Sequence, residues 1–232
     1  MKKREKKIKI KKHFNREARK FDKVIVKLIP HYQKMVELLV ELVPFGNKQI
    51  KVIDLGCGTG TVSQNILKRF PQVQLTCVDI SDKMLKYAKC KLKKYDNQVN
   101  WVVKDLSNFN FKERYDAVLS SLALHHLYEN GEKQEFYKKI YNSLNVGGVF
   151  YNADVVLGPG EKMQKFYIDK WKKYMSENYS EKVIKSKWLP RYNNMDSPAK
   201  LFSQLKWLKN IGFKEVDVVW KYYNYAVYGG RK

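Results

Sequence analysis

Lys51-Val-Ile-Asp-Leu-Gly-Cys-Gly-Thr-Gly60 is the stretch on which the fold turns. An apolar run over 50–55 ends in glycines at alternate positions, and an amphipathic segment, 61–70, follows. Uninterrupted apolar residues that stop at a glycine read as a strand buried on both faces. The glycines let the backbone turn tightly and approach a bound molecule with no Cβ in the way. In open α/β sheets, ligands sit at the carboxyl ends of such strands.

On the amino-terminal side, 29–43 reads as a helix. Met35, Leu38, Leu39, Leu42 and Val43 recur at helical spacing, and Pro44 stops it. On the other side, 73–79 alternates as a strand. Ser81 can cap a helix reaching Lys94, with Met84, Leu85, Ala88 and Leu92 on one face. Strands are predicted at 99–103 and 115–120, a helix at 132–144, and a further strand at 149–155 after Gly147-Gly148. Strand and helix thus alternate, which is the mark of βαβ units. The last segments, 216–220 and 223–228, read as a closing antiparallel pair. The expected fold is α/β: a doubly wound, mostly parallel seven-stranded sheet with an antiparallel C-terminal strand and a helical lid insertion. The lid is 158–198, which has no strand signal and is rich in Lys and aromatics. There Tyr167, Trp171 and Tyr174 at helical spacing read first as core and second as a stacking surface for a substrate, and Arg191 first as a surface residue and second as a partner for a substrate carboxylate.

The length of 232 residues suits one domain, and 44% hydrophobic residues exclude wholesale disorder. Three Cys cannot build a disulfide framework and point to a reducing compartment, hence to the cytoplasm. No apolar run is long enough to cross a bilayer, so no membrane partner is expected. The 46 Lys+Arg against 23 Asp+Glu give a formal net charge of +23. Residues 1–27 hold 13 of those bases and 3 acids. We therefore expect a basic flexible tail over 1–20, kept mobile by self-repulsion, ahead of a catalytic domain over 21–232. Lys outnumbers Arg, the better reader of phosphates and bases, so the charge reads first as a solvated surface and second as an RNA-binding one.

Two further acids complete the glycine loop. Asp79 ends the second strand and Asp105 follows the third, so Asp54, Asp79 and Asp105 fall at the same end of adjacent strands. A carboxylate at Asp79 can accept both ribose hydroxyls of a nucleoside, and one at Asp105 an adenine amino group. The Gly-x-Gly-x-Gly loop differs from the Gly-x-Gly-x-x-Gly of NAD-binding chains. A diphosphate at a helix terminus wants positive surroundings. An acidic rim suits a cationic ligand without phosphate.

With Val78-Asp-Ile-Ser81, Lys104-Asp-Leu106, Tyr115-Asp-Ala-Val-Leu-Ser-Ser121 and Leu144-Asn-Val-Gly-Gly148 in order behind the loop, the chain resembles the class I S-adenosyl-L-methionine (SAM) dependent methyltransferases. The resemblance covers residues 50–155 and, more loosely, the terminal hairpin. It implies that Asp54 and the loop Gly56, Cys57, Gly58 and Gly60 hold the methionyl end of SAM. It also implies that Asp79 binds the ribose, that Ile80 and Met84 sandwich the adenine, and that Asp105 and Leu106 lie at its edge. Ser120, ending the fourth strand, is placed beside the cofactor. The segment 21–32 is similar to one found in a subgroup that includes carboxy-SAM synthases of tRNA wobble-uridine modification. That likeness makes Tyr32 a candidate for the cofactor carboxylate. Those synthases tend to have Ser-Leu-Gly where this chain has Gly58-Thr-Gly60, which argues for SAM itself.

Residues after the fourth strand, Ser120-Ser-Leu-Ala-Leu-His-His-Leu127, would lie near the transferred group. They lack the Asn/Asp-Pro-Pro-Tyr/Phe of enzymes that methylate DNA amines. His125 and His126 are the candidate catalytic residues, as base or acceptor-orienting groups. No metal is expected, since no nearby acid or thiol completes a ligand set with them. The expected activity is methyl transfer from SAM to a small molecule. The alternatives are an RNA (tRNA) methyltransferase using the basic surface, a carboxy-SAM-related enzyme, or a non-catalytic SAM-binding protein. The sequence leaves the oligomeric state open.

Overall fold

A computed structural model describes residues 3–44, 46 and 49–232. Seven strands form one sheet: β1 (Lys51–Leu55), β2 (Gln74–Asp79), β3 (Val99–Val103), β4 (Tyr115–Ser121), β5 (Leu144–Val155), β6 (Lys214–Tyr222) and β7 (Tyr225–Arg231). Their order is β3-β2-β1-β4-β5-β7-β6. All pairs from β3 to β5 are parallel, and β7 runs antiparallel to both its neighbours. Strand order reverses between β1 and β4, which makes their carboxyl ends the switch point where α/β sheets bind ligands. The architecture is the one expected.

The helices are α1 (Lys3–Glu17), α2 (Phe21–Leu28), α3 (Tyr32–Glu41), α4 (Thr61–Arg69), α5 (Asp82–Lys91), α6 (Asn130–Ser143), α7 (Glu161–Ser176), α8 (Glu181–Val183), α9 (Leu189–Met195) and α10 (Leu201–Ile211). Successive strand residues face opposite sides of the sheet. In β1, Val52 joins a core with α3, α4 and the lid, while Ile53 and Leu55 join a second core with α6 and α10. Both faces are dry, so the strand carries no polar alternation. Its one acid, Asp54, sits at the ligand end.

Local chemistry sets the element ends. Ser81 caps α5, its Oγ accepting the Met84 N–H at 3.0 Å. The helix expected over 29–43 is the shorter α3, and α2, which the sequence reading did not propose, precedes it. Pro30 cannot donate a helical hydrogen bond, and His31 takes a left-handed φ of 57° between them. The predicted stop at Pro44 falls just past the end of α3 at Glu41.

The amino-terminal segment differs more. Residues 3–20 are helical and packed, where a mobile tail was expected; residues 1 and 2 lie outside the described residues. Lys6, Ile10 and Phe14 stand one turn apart and share the inward face of α1, with Lys6 and Ile10 buried. Lys6 Nζ donates to Ser197 Oγ at 2.6 Å, Lys11 pairs with Asp82 at 3.4 Å, and Lys7 pairs with Asp105 at 3.4 Å. The acidic rim of the sheet supplies counter-charges that offset the repulsion within the block.

The segment after β5 packs over α2. Trp171 Nε1 donates to Leu28 O at 2.7 Å, and Tyr174 Oη to Val26 O at 2.6 Å. Tyr167 and Trp171 are buried, as their spacing predicted, while Tyr174 is only half-buried.

Candidate active site

The loop after β1 is built around positive φ. Gly56, Gly58 and Gly60 have φ of 74°, 54° and 79°. At Gly56 a side chain is excluded twice over, because a Cβ there would lie 2.2 Å from Ala123 Cβ. The turn brings the Gly58 N–H to Asp79 Oδ2 at 2.8 Å, and Asp79 Oδ1 accepts the Ser81 N–H at 2.7 Å. Asp79 is thus fixed by two backbone donors at the end of β2 and keeps unused lone pairs. Asp54 is held through Oδ2 by Ser63 Oγ at 2.6 Å. Its Oδ1 is buried and has no hydrogen-bond partner.

These groups face a cleft of about 950 Å³ at the switch point. Of the residues read from the sequence, Tyr32, Asp54, Gly56, Cys57, Gly58, Asp79, Ile80, Met84, Asp105, Leu106 and His126 line it. Gly60 stands behind the loop as the N-cap of α4. Ser120 turns away: its Oγ donates to Leu55 O at 2.9 Å inside the sheet. Side chains alternate along a strand, so Ser121 is the hydroxyl that lines the cleft, and its Oγ is buried without a partner. Sequence reasoning missed Lys7, Ile10, Phe14 and Phe21, which close the cleft from α1 and α2. The alternating Lys6, Ile8 and Ile10 within a Lys-rich run hid the inward face of α1.

Burial sets the electrostatics. It pushes Asp54 up to about 7, against the pull of Ser63, with the nearby Asp79 adding to the rise. Burial likewise pushes Asp79 up to about 6, although the N–H groups of Ser81, Gly58 and Ile80 pull it down. Burial also raises the Cys57 thiol and the Tyr32 phenol, so both are neutral groups. Removing a carboxylate from water penalises its charge, and a cation brought beside it relieves that penalty. The cleft therefore favours a positively charged ligand.

A second pocket of about 580 Å³ adjoins the cleft across Phe14, Phe21, Leu122 and His126. Its walls are largely apolar and aromatic, including Trp171, Trp188, Tyr192 and Tyr225. Arg191, expected at the surface, lines it half-buried with its guanidinium 5.7 Å from the Trp188 ring centre. His126 borders both cavities, while His125 borders the second alone. His125 is clamped: Nδ1 lies 2.5 Å from Asp154 Oδ1, and its backbone N–H reaches Asp154 Oδ2 at 3.1 Å. Burial opposes a charge on this ring, but the Asp154 and Asp196 carboxylates push its pKa up to about 10. Burial, with His125 beside it, pushes His126 down to about 3. Asp196, just beyond α9, completes the polar end of the pocket. The sequence placed no acid near the histidine pair, and only the folded chain brings this one to it.

Residues 52–148 match a methyltransferase domain family. The chain is 30% identical over 211 residues to the carboxy-S-adenosyl-L-methionine synthase of Campylobacter fetus, covering 90% of this chain and 88% of that one. It is 28% identical over 210 residues to the same enzyme of Nautilia profundicola, with the same two shares. The fold is that of the N-methyltransferase NodS of Bradyrhizobium japonicum, at a TM-score of 0.68 and 14% identity, covering 96% of this chain and 97% of that one. Fold, loop and relatives agree: the chain belongs to the class I SAM-dependent methyltransferases. It is an enzyme of that class, with SAM as its cofactor. The likeness to carboxy-SAM synthases covers 90% of the chain, well beyond the residues 52–148 of the domain match.

Proposed function

We propose that the chain transfers a methyl group from SAM to a small molecule seated in the second pocket. The observation that carries this reading is Asp54 Oδ1, a buried carboxylate oxygen with no partner, facing a cleft rimmed by acids. It suits the ammonium of a methionyl group. Asp79 would accept the ribose hydroxyls, and Ile80 and Met84 would flank the adenine, with Asp105 and Leu106 at its edge. Tyr32 and the loop Gly56, Cys57, Gly58 and Gly60 would hold the methionyl end, with Ser121 in the part first given to Ser120. SAM supplies an activated one-carbon group on a sulfonium, so the protein's task is alignment and exclusion of water. The aromatic walls exclude water and fix a flat or apolar acceptor. The histidine pair orients the acceptor's polar atom, and Arg191 balances a negative charge on it.

A second reading has its own support. Near-full-length similarity to carboxy-SAM synthases, and a guanidinium beside the cofactor cleft, suit a carboxylate-bearing co-substrate and modification of SAM itself. One experiment separates the readings. SAM labelled in the methyl group is incubated with the enzyme and with separated metabolite and RNA fractions, and products are identified by mass spectrometry. The first reading expects a labelled metabolite and S-adenosylhomocysteine (SAH). The second expects SAM with a carboxyl group in place of one hydrogen of its labelled methyl. Label appearing in RNA alone would overturn both and restore RNA as the partner. Free thiols at Cys57, Cys77 and Cys90 suit work in the cytoplasm. No helix among the described residues is long and apolar enough to cross a membrane.

A further inference from the structure

His125, His126 and Asp196 meet where the two cavities join, and their geometry is that of a ligand set. We infer that His125 Nε2, His126 Nδ1 and Asp196 Oδ1 form a three-ligand site for a divalent transition-metal ion such as Zn2+. Asp196 Oδ1 lies 3.6 Å from His125 Nε2 and 3.6 Å from His126 Nδ1. Each of the three residues places a ligand atom within 4.8 Å of the others. Tetrahedral bonds of about 2.0–2.1 Å hold ligand atoms about 3.3–3.4 Å apart, so the two histidine–carboxylate distances need to close by only a few tenths of an ångström.

Two independent observations point to a ligand there. Asp196 Oδ1 is buried and accepts no hydrogen bond, both histidines standing just beyond reach. The His125 ring offsets its charge from 3.6 Å without a hydrogen bond, and a metal ion displacing the proton on Nε2 would bond all three groups at once. The second is the back of His125. Its Nδ1 is fixed at 2.5 Å by Asp154, whose Oδ2 also takes the Asn152 amide at 3.3 Å. A carboxylate on the far nitrogen is the usual support of a metal-bound imidazole, since it sets the tautomer and aims the free lone pair. His126 would exchange a long 3.3 Å contact with Met195 O for the metal.

Two imidazoles and one carboxylate suit Zn2+, Co2+ or Fe2+, whereas Mg2+ and Ca2+ prefer all-oxygen sets. Three protein ligands leave a position open, the arrangement of sites that bind a substrate atom. Here it would open on the second pocket. A metal there would hold an acceptor oxygen or nitrogen and lower its proton affinity. The inference concerns ligands alone and stands whether or not the transfer reaction is the one proposed above.

The test is metal titration of the full chain after chelator treatment, by calorimetry with Zn2+ and by visible spectroscopy with Co2+. One equivalent should bind, with Co2+ bands typical of nitrogen and oxygen ligands. Asp196→Asn and His126→Gln should each weaken binding at least tenfold while circular dichroism stays unchanged. Asp154→Asn, which leaves all three ligands in place but alters the support of His125, should weaken it by about 10–100-fold. The wild-type titration is decisive even if a variant fails to fold: no stoichiometric binding overturns the inference. Binding that survives Asp196→Asn, or a sulfur-to-cobalt charge-transfer band pointing to a cysteine such as the exposed Cys90, overturns it too.

Discussion

At the residue scale, Asp54 and Asp79 couple ligand binding to protons. Their pKa values of about 7 and about 6 lie above the ordinary 3.8 because burial penalises the charged form. A cationic ligand binds the carboxylates, so protons must leave before it can enter. Affinity for SAH should therefore fall as pH drops below about 7, approaching tenfold per pH unit for each proton expelled. Asp54→Asn should bind more weakly at pH 8 and show a flatter pH profile; calorimetry from pH 5.5 to 8 measures both. The stability term has the opposite sense. A folded pKa raised above the unfolded one gives a contribution fully present below pH 3.8 and lost as pH rises through 7. The ligand-free Asp54→Asn protein should thus lose less melting temperature across that window than wild type. Asp54 and Asp79 were legible in the sequence because each ends a strand, and strand ends are local. Ser120 was read in place of Ser121, the serine that lines the cleft, because a period of two puts neighbouring side chains on opposite faces, and sequence alone leaves that phase open.

At the element scale, the glycine turn and helix α1 carry the predictions. Gly56→Ala adds a Cβ to a left-handed residue and drives it against Ala123, a side chain with nowhere to move. The strain of that backbone and the overpacking together cost about 2–4 kcal/mol. A fall in melting temperature on the order of 10 °C should follow in a thermal scan. Helix α1 closes the cleft with Lys7, Ile10 and Phe14. Its exposed pair Lys11–Asp82 adds little, about 0.2–1 kcal/mol. Closure rests on the buried Lys6 and Ile10 and on the Phe14 ring, 5.5 Å from His126. Removing residues 1–17 should speed SAH dissociation by on the order of tenfold, a gain in off-rate readable by stopped-flow displacement. An unchanged off-rate would show that α1 does not gate the cleft. The helix was misread because a lysine block predicts repulsion when its surroundings are unknown. The acids that offset it, Asp82 at the start of α5 and Asp105 just after β3, lie far along the chain.

At the scale of the whole molecule, ligand and fold are linked by mass action. SAH at 100 times its dissociation constant should add about 2.7 kcal/mol of stability. For a chain of this size that raises the melting temperature by about 5–10 °C, while NAD at the same concentration should leave it unchanged. Differential scanning calorimetry reads both. The +23 charge is distributed at this scale as well: part of it faces the acidic rim through α1, where the sequence reading had put it first in solvent and second on an RNA. By itself the sequence determined the alternation of strands and helices, the sheet they form, the glycine loop and the acids at its rim. These depend on periodicity and on residues adjacent to one another, which a linear reading preserves. The tertiary structure alone decided that α1 is a cover, that Arg191 turns inward beside the tryptophans, and that Asp196 meets His125 and His126. Each of those is a contact between segments far apart in the chain, fixed by how the lid and α1 pack on the sheet, and packing leaves no local signature.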